Sequence, residues 1–341
     1  MKMRLAQLVE PRKFDVIEKD IPKLGPNEVL IQVISSGLCH SDMPTYFGQS
    51  AMSRDKYGHY YMEKDFAYPR AFGHESIGQI IDVGSAVTNL KVGDYVGGPM
   101  GPAFASHIVA SAGMCIPVPA DTPDMKYCLV EPLTCISNIV AVANTRFGDY
   151  IAVVGCGMMG QLMIAGLRYS GARDIIAIDI LDDRLESAKR YGATQTINPL
   201  KCNLNDEINR LTENRGADVV IEITGGLKGL KTAVSVVRFA EMYGYAGRGK
   251  ILLPSVYGAP ETWDPEIGYE LMYRSPVLHS THPWYCEDYV RTAKTAIEAY
   301  RTGRLPIKDF VSHEFKLDEI QKAFDLMASK DPNYYKGILI P

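Results

Sequence analysis

The chain has 341 residues, enough for two domains of ordinary size, and its 46% hydrophobic and 22% charged residues suit a globular protein with a substantial core. A net charge of −4 sets up no field that would draw nucleic acid or an anionic membrane, and no stretch reaches the ~18 apolar residues a membrane-spanning helix requires. Seven cysteines, an odd number without CxxC spacing, argue against a disulfide framework. The start, Met1 to Ala6, is followed at once by Glu10 and further charged residues, too short an apolar run for a secretion signal, so a reducing cytoplasmic setting is expected.

Taken in chain order, the turn signal Gly25-Pro26-Asn27 precedes an apolar, β-branched run at 29–33 that predicts a strand. Segments 76–83 and 94–96 follow the same pattern, punctuated by Gly84-Ser85 and Val92-Gly93-Asp94. Short strands cut by turns predict an antiparallel, barrel-like first domain. Near residue 137 the pattern changes. Residues 150–154 are a continuous apolar strand, 155–160 a glycine turn, 161–170 a helix, and 174–178 a second strand ending at Asp179. Helices at 182–191 and 230–239 alternate with strands at 218–223 and 250–253. That alternation predicts an α/β unit, a doubly wound parallel sheet with helices on both faces. After about residue 285 come helices at 289–302 and 317–328 and a strand at 337–340.

Gly155-Cys156-Gly157-Met158-Met159-Gly160 has the GxGxxG spacing. Alone the spacing is weak evidence, but here it follows an apolar strand and opens a helix, and Asp179 closes the next strand 19 residues after Gly160. Gly155 suits the tight turn, Gly157 a close backbone approach to a pyrophosphate, and Gly160 close packing of helix on strand. The helix start would meet phosphate with unpaired N–H groups. Asp179 would accept the adenosine ribose hydroxyls and repel a 2′-phosphate, which favours NAD over NADP. Arg184 is near enough in sequence to suggest a phosphate partner, but Asp179 argues against that.

A second set of residues lies in Gly37-Leu38-Cys39-His40-Ser41-Asp42 and Gly73-His74-Glu75. Zinc accepts thiolate, imidazole and carboxylate, and a catalytic site leaves a position open. A lone Cys and His 35 residues apart would more often be core residues, so the flanking sequence carries the argument. Glu75 follows His74 directly, and Asp42 is a candidate to fix the other His74 nitrogen. Glu131, in Val130-Glu131-Pro132-Leu133, is a carboxylate in an apolar stretch and needs a partner if buried.

These motifs, with Phe72 to Glu75, Val92 to Val96 and the closing 317–324 segment, resemble the zinc-dependent medium-chain dehydrogenase/reductase superfamily almost end to end. The likeness is greatest to its polyol/sugar (sorbitol-type) branch, which carries a Glu in an EPL motif where classical alcohol dehydrogenases carry a second cysteine. The resemblance implies a GroES-like β-barrel catalytic domain at 1–136 and 286–341 and a Rossmann NAD-binding domain at 137–285. It implies Cys39 and His74 as zinc ligands, with Glu75 and Glu131 exchanging in the remaining positions and Ser41 as a proton relay. His40 would contact the cofactor pyrophosphate, and Thr224, Ser255 and Val256 would lie along the nicotinamide and its ribose. The expected activity is hydride transfer between a secondary alcohol and NAD, in a homodimer or homotetramer paired through a sheet edge at 250–256 or 276–280, with no nucleic-acid or membrane partner.

Three departures bear on this. No cysteine-rich lobe interrupts Gly97 to Ala103, so one catalytic zinc and no structural zinc are expected. Segment 50–68, rich in Tyr and charge, lengthens the spacing from Cys39 to His74 and is expected to loop over the substrate cleft, with Arg70 nearby as a cation. Pro44 stands where relatives often place a relay histidine, leaving His59 or water to carry the proton. Threonine-type oxidation is the runner-up. Two other classes, a zinc-free NAD(P)H reductase of alkenes or quinones and a non-enzymatic NAD-binding protein, would be distinguished by zinc content and turnover.

Overall fold

The structure, a computed structural model, describes residues 1–240, 249–255, 257 and 261–341. It divides into two compact units, 1–133 with 307–341, and 134–306. Segment 286–306, which the sequence reading joins to the catalytic domain, belongs to the second unit, and so does helix 289–301. An amphipathic helix shows that it has a buried face but not which sheet supplies the cover.

The first unit opens with an antiparallel hairpin, β1 (Lys2–Glu10) and β2 (Lys13–Asp20). There follow β3 (Glu28–Gly37), the short helix α1 (Met43–Tyr46), a second hairpin of β4 (Ala51–Arg54) and β5 (Tyr60–Glu63), then β6 (Glu75–Val83), β7 (Tyr95–Gly98), β8 (His107–Ser111) and β9 (Ile116–Val118). Helix α2 (Val130–Ala143) leads the chain into the second unit. The barrel-like expectation resolves into a mixed sheet ordered β16-β17-β3-β6-β7-β9 with β8 also on β3, where β16 (Val311–Lys316) and β17 (Lys336–Ile340) return from the far end of the chain. β16 and β17 run parallel, and the other described pairings are antiparallel. Below the Cys39 turn, Leu38, Met43 and Tyr46 join Phe104, Phe315 and Phe324 in one buried cluster, with Phe14 and Phe72 packed against it. Phe324, from the last helix, lies 4.9 Å from the Phe14 ring and 5.6 Å from that of Phe104.

Segment 50–68 contains the β4–β5 hairpin where a loop was expected. Arg70 is bound into it: its guanidinium donates to the Met52 carbonyl at 2.8 Å, pairs with Glu63 at 3.4 Å and stacks on Phe66. It is therefore a neutralised cation. His59 lies near the turn of the hairpin, exposed and 3.3 Å from Asp55.

The second unit carries β10 (Tyr150–Val154), α3 (Met158–Leu167), β11 (Asp174–Ile178), α4 (Asp182–Tyr191), β12 (Gln195–Ile197), α5 (Leu204–Leu211), β13 (Val219–Glu222), α6 (Leu227–Val236), β14 (Lys250–Leu253), α7 (Pro265–Arg274), β15 (Val277–Ser280) and α8 (Tyr289–Arg301). Among the described residues its sheet is six-stranded, ordered β12-β11-β10-β13-β14-β15 and parallel throughout. This is the doubly wound order, whose reversal between β10 and β13 leaves a crevice at the strand ends. Strand β10 is buried at every position, as a central parallel strand must be when helices cover both faces. Helix α9 (Ile320–Ala328) completes the first unit.

Candidate active site

Strand β3 ends at Gly37, and the chain turns through Cys39 into a short 3-10 segment, His40–Asp42. Strand β6 begins at Glu75, paired with Gly37, so His74 stands at its threshold. The turn and the strand start bring a ligand atom from each of Cys39, His74 and Glu75 within 4.8 Å of one another. His74 Nδ1 lies 3.3 Å from Asp42 Oδ1, and its Nε2 lies 3.5 Å from Ser41 Oγ. The Ser41 hydroxyl donates to Cys39 Sγ at 3.1 Å. Burial disfavours the charged ring, but the Asp42 carboxylate and Cys39 sulfur outweigh it and raise the His74 pKa well above its ordinary value.

Glu75 is buried, at 1% exposure. Its Oε1 accepts from Lys336 Nζ at 2.7 Å, and its Oε2 lies 2.6 Å from the same nitrogen with no hydrogen-bond donor aligned on it. Lys336 sits at the start of β17, which pairs with the end of β3 on the side opposite β6. A Cβ on Gly37 would lie 1.9 Å from Glu75 Oε2, so this glycine provides the space in which the pair closes. Burial alone would lower the Lys336 pKa; Glu75 and Cys39 raise it instead and keep it protonated. A thiol, an imidazole with one nitrogen held by a carboxylate, and a buried carboxylate with spare acceptor capacity make a set that fits zinc. Glu131 lies in the first turn of α2, outside the group of three, and is partly buried. His40 is exposed, with its ring 6.2 Å from that of Tyr334. Pro44 lies in α1.

In the second unit the glycine turn joins β10 to α3. Gly155 has φ +99°, and a Cβ on Gly160 would lie 2.0 Å from the Gly155 carbonyl oxygen. Around Gly157, by contrast, a Cβ would meet nothing within 4 Å, so the backbone is open to a ligand there. Met158 and Met159 form the first turn of α3 behind it. Asp179 is 8% exposed and already braces the turn: its Oδ2 accepts from Cys156 N at 2.7 Å and its Oδ1 from Leu181 N at 2.9 Å. Arg184 is 3.9 Å from this carboxylate, an attachment that directs it to Asp179. These residues fit a dinucleotide. Ser255 follows β14 and is partly buried, and Val256 lies outside the described residues.

Two functional candidates have no sequence signal. Lys336 reads in sequence as an ordinary strand lysine. Glu222, at the end of β13, is fully buried. Its carboxylate accepts from Thr224 N at 2.8 Å, from the Thr224 hydroxyl, from Gly225 N at 3.4 Å and from the Tyr257 hydroxyl. It thereby ties the loop after β13 to the segment after β14. Burial, then the Glu222 carboxylate, pushes the Tyr257 phenol pKa well up, so the phenol remains a donor. A run such as Ile221-Glu222-Ile223 could have raised the question of what satisfies the acid, but not the answer.

Residues 25–164 match the family described as the alcohol dehydrogenase GroES-like domain, and residues 159–257 that described as zinc-binding dehydrogenase. The chain is 30% identical to an L-threonine 3-dehydrogenase of Caldanaerobacter subterraneus subsp. tengcongensis, over 92% of each chain. It is also 30% identical to a probable D-xylulose reductase A of Neosartorya fischeri, over 92% of this chain and 89% of the other. In fold it is similar to galactitol-1-phosphate dehydrogenase from Escherichia coli, with a TM-score of 0.82 at 22% identity over 99% of this chain and 100% of the other. The chain belongs to the zinc-dependent medium-chain dehydrogenase/reductase superfamily. It pairs a Cys/His/Glu zinc-binding cluster with an NAD(H)-binding fold, consistent with one catalytic zinc and NAD.

Lys336→Met leaves the Glu75 carboxylate buried without its counter-ion. Metal-free protein is expected to lose about 3–5 kcal/mol in urea denaturation, and the Glu75→Gln/Lys336→Met double variant to recover much of it. A single-variant loss under about 1 kcal/mol would mean that water reaches the acid. Glu222→Gln offers an amide where donors converge on a carboxylate. NADH binding, followed by fluorescence, is expected to weaken roughly tenfold with zinc content unchanged. Unchanged affinity in a folded variant would separate the loop from cofactor binding.

Proposed function

We propose that the protein is a zinc-dependent oxidoreductase transferring a hydride between NAD and a secondary alcohol of polyol, cyclitol or sugar type. The observation that carries this is the presence, in one chain, of the Cys39/His74/Glu75 cluster and a Gly155–Gly160 turn braced by Asp179. Cys39, His74 and Glu75 hold the metal, with Glu131 exchanging in the remaining position, directly or through water. Zinc held there would polarise the alcohol oxygen, and NAD at the glycine turn would be the hydride acceptor. Asp42 holds His74 Nδ1, which leaves Nε2 for the metal. Ser41 Oγ, beside both Cys39 Sγ and His74 Nε2, relays the substrate proton, accepting it while passing its own hydroxyl proton on to solvent water. Asp179 excludes a ribose 2′-phosphate by like charge, which favours NAD over NADP. His40, Thr224, Ser255 and Val256 are assigned to the cofactor by resemblance.

L-Threonine is the second candidate substrate, supported by the 30% identity to an L-threonine 3-dehydrogenase; the equal identity to a probable D-xylulose reductase supports the polyol reading. No helix among the described residues is long and apolar enough to cross a membrane. The seven cysteines are free thiols, which suits a reducing cytoplasmic location.

A homo-oligomer is also proposed. Edge strand β15 exposes Val277 and Leu278, and the outer face of α7 exposes Tyr269, Met272 and Tyr273. An unpaired edge with apolar neighbours is a template for a second copy. Sedimentation of wild-type protein is expected to give a dimer or tetramer, and Leu278→Arg a smaller species; a monomeric wild type would sink this reading. For the activity, elemental analysis is expected to find about one zinc per chain. NADH formation is expected with xylitol, sorbitol or an inositol and to be lost on chelation or in Cys39→Ser. Folded protein that binds NAD but carries no zinc would overturn the metal assignment and bring forward a zinc-free reductase. Turnover of L-threonine alone would select the second substrate.

A further inference from the structure

We infer that a cleft formed by Arg168, Arg190 and Arg304 is a binding site for the phosphate group of a small phosphate monoester, separate from the dinucleotide turn. The three arginines line one shallow cavity of about 60 Å³, together with Tyr169, Tyr191 and Pro306. That volume holds a few waters, which is the scale of one tetrahedral oxyanion and too small for a nucleotide. All residues of the cleft fall within the second unit.

What distinguishes these arginines is the absence of carboxylate partners among the described residues. Elsewhere in the unit Arg173 pairs with Glu213, Arg210 with Glu207, Arg274 with Glu270 and Arg301 with Glu298. Among the described residues, the side chains of Arg168, Arg190 and Arg304 have no carboxylate within 4.0 Å and no hydrogen bond to the protein. Arg168 and Arg304 both lie over the Tyr169 ring, each 5.8 Å from its centre, so one aromatic face-pair positions two cations beside the same cavity.

Helix ends supply part of an explanation without a ligand. Arg168 caps the C-terminus of α3, Arg190 lies in the last turn of α4, and Arg304 follows the end of α8. Each helix end offers about half an elementary negative charge, so three ends leave roughly half of three full positive charges uncompensated. In a chain of net charge −4, that is a local concentration of positive potential in a concave site. Guanidinium forks match phosphate oxygens in pairs, and three of them suit a dianion better than a carboxylate. The cleft lies at the opposite end of the ten-residue helix α3 from the glycine turn, about 15 Å along its axis.

The test is calorimetric titration of inorganic phosphate into purified protein holding saturating NADH, which occupies the glycine turn. Saturable binding to one site, with a dissociation constant in the low-millimolar range or below, is expected. It should weaken roughly tenfold in each of Arg168→Gln and Arg304→Gln and fall with added sodium chloride. The side chains are exposed, and circular dichroism will verify that the variants are folded. No saturable heat up to about 10 mM phosphate, or equal affinity in the Arg168→Gln/Arg304→Gln protein, would overturn the inference. Sedimentation with phosphatidic acid vesicles separates a lipid source, and vesicle binding without any response to free phosphate also overturns it. If the wild type fails to bind NADH, the proposed function fails, while the arginine variants still report on this cleft.

Discussion

The buried ion pair between Glu75 and Lys336 is the constraint around which the first unit is organised. It joins a strand that begins at residue 75 to one that begins at residue 336, across the glycine that ends β3. An unpaired carboxylate at 1% exposure would be costly, so the Glu75 carboxylate beside the Cys39 turn depends on the C-terminal strand being in place. The aromatic cluster around Phe324 works in the same direction, because its rings come from both ends of the chain and pack beneath Leu38 and Met43. The metal cluster is therefore a product of the whole first unit, although its three members lie within 37 residues of one another.

The second unit meets a different requirement. Its cofactor edge must present bare backbone to an anion, so side chains behind the loops hold the loops in place. Asp179 receives Cys156 N, and Glu222 receives Thr224 and Tyr257. Both acids lie at the ends of parallel strands, where neighbouring N–H groups compensate their charge, with Arg184 also 3.9 Å from Asp179. This leaves the glycines free to be approached and still keeps the turn in a single shape. Preorganisation of this kind lowers the cost of ordering when the ligand arrives.

Charge is also placed differently at the two ends of α3. Its first turn follows the open Gly157, and its last turn meets arginines that no carboxylate among the described residues pairs with. In β4–β5 the opposite holds: Arg70, which in sequence offers a free cation, is bound by Glu63, Ser53 and Met52. A charge in a sequence has no functional meaning until its partners are known, and these two cases diverge only because one arginine found a carboxylate.

Local pattern was enough where local physics decides. Strand β10, the glycine turn and Asp179 are legible because a buried parallel strand must be uniformly apolar and a pyrophosphate turn must be glycine-rich. Cys39, His74 and Glu75 are legible because metal binding restricts residue type. The β1–β2 hairpin has no clear sequence signal, since its strands carry Lys2, Arg4 and Glu18 on an exposed face and resemble a charged terminus. Segment 50–68 reads as a loop because its tyrosines and charges show no clean alternation. Only the tertiary structure could assign helix 289–301 to the second unit, seat Lys336 on Glu75 and neutralise Arg70. Each of these depends on contacts between residues far apart in sequence, and periodicity and motif spacing carry no information about them. The sequence by itself determined the two kinds of domain and the chemistry of their motifs. The fold decided which charges are paired, because pairing is a property of distance in space.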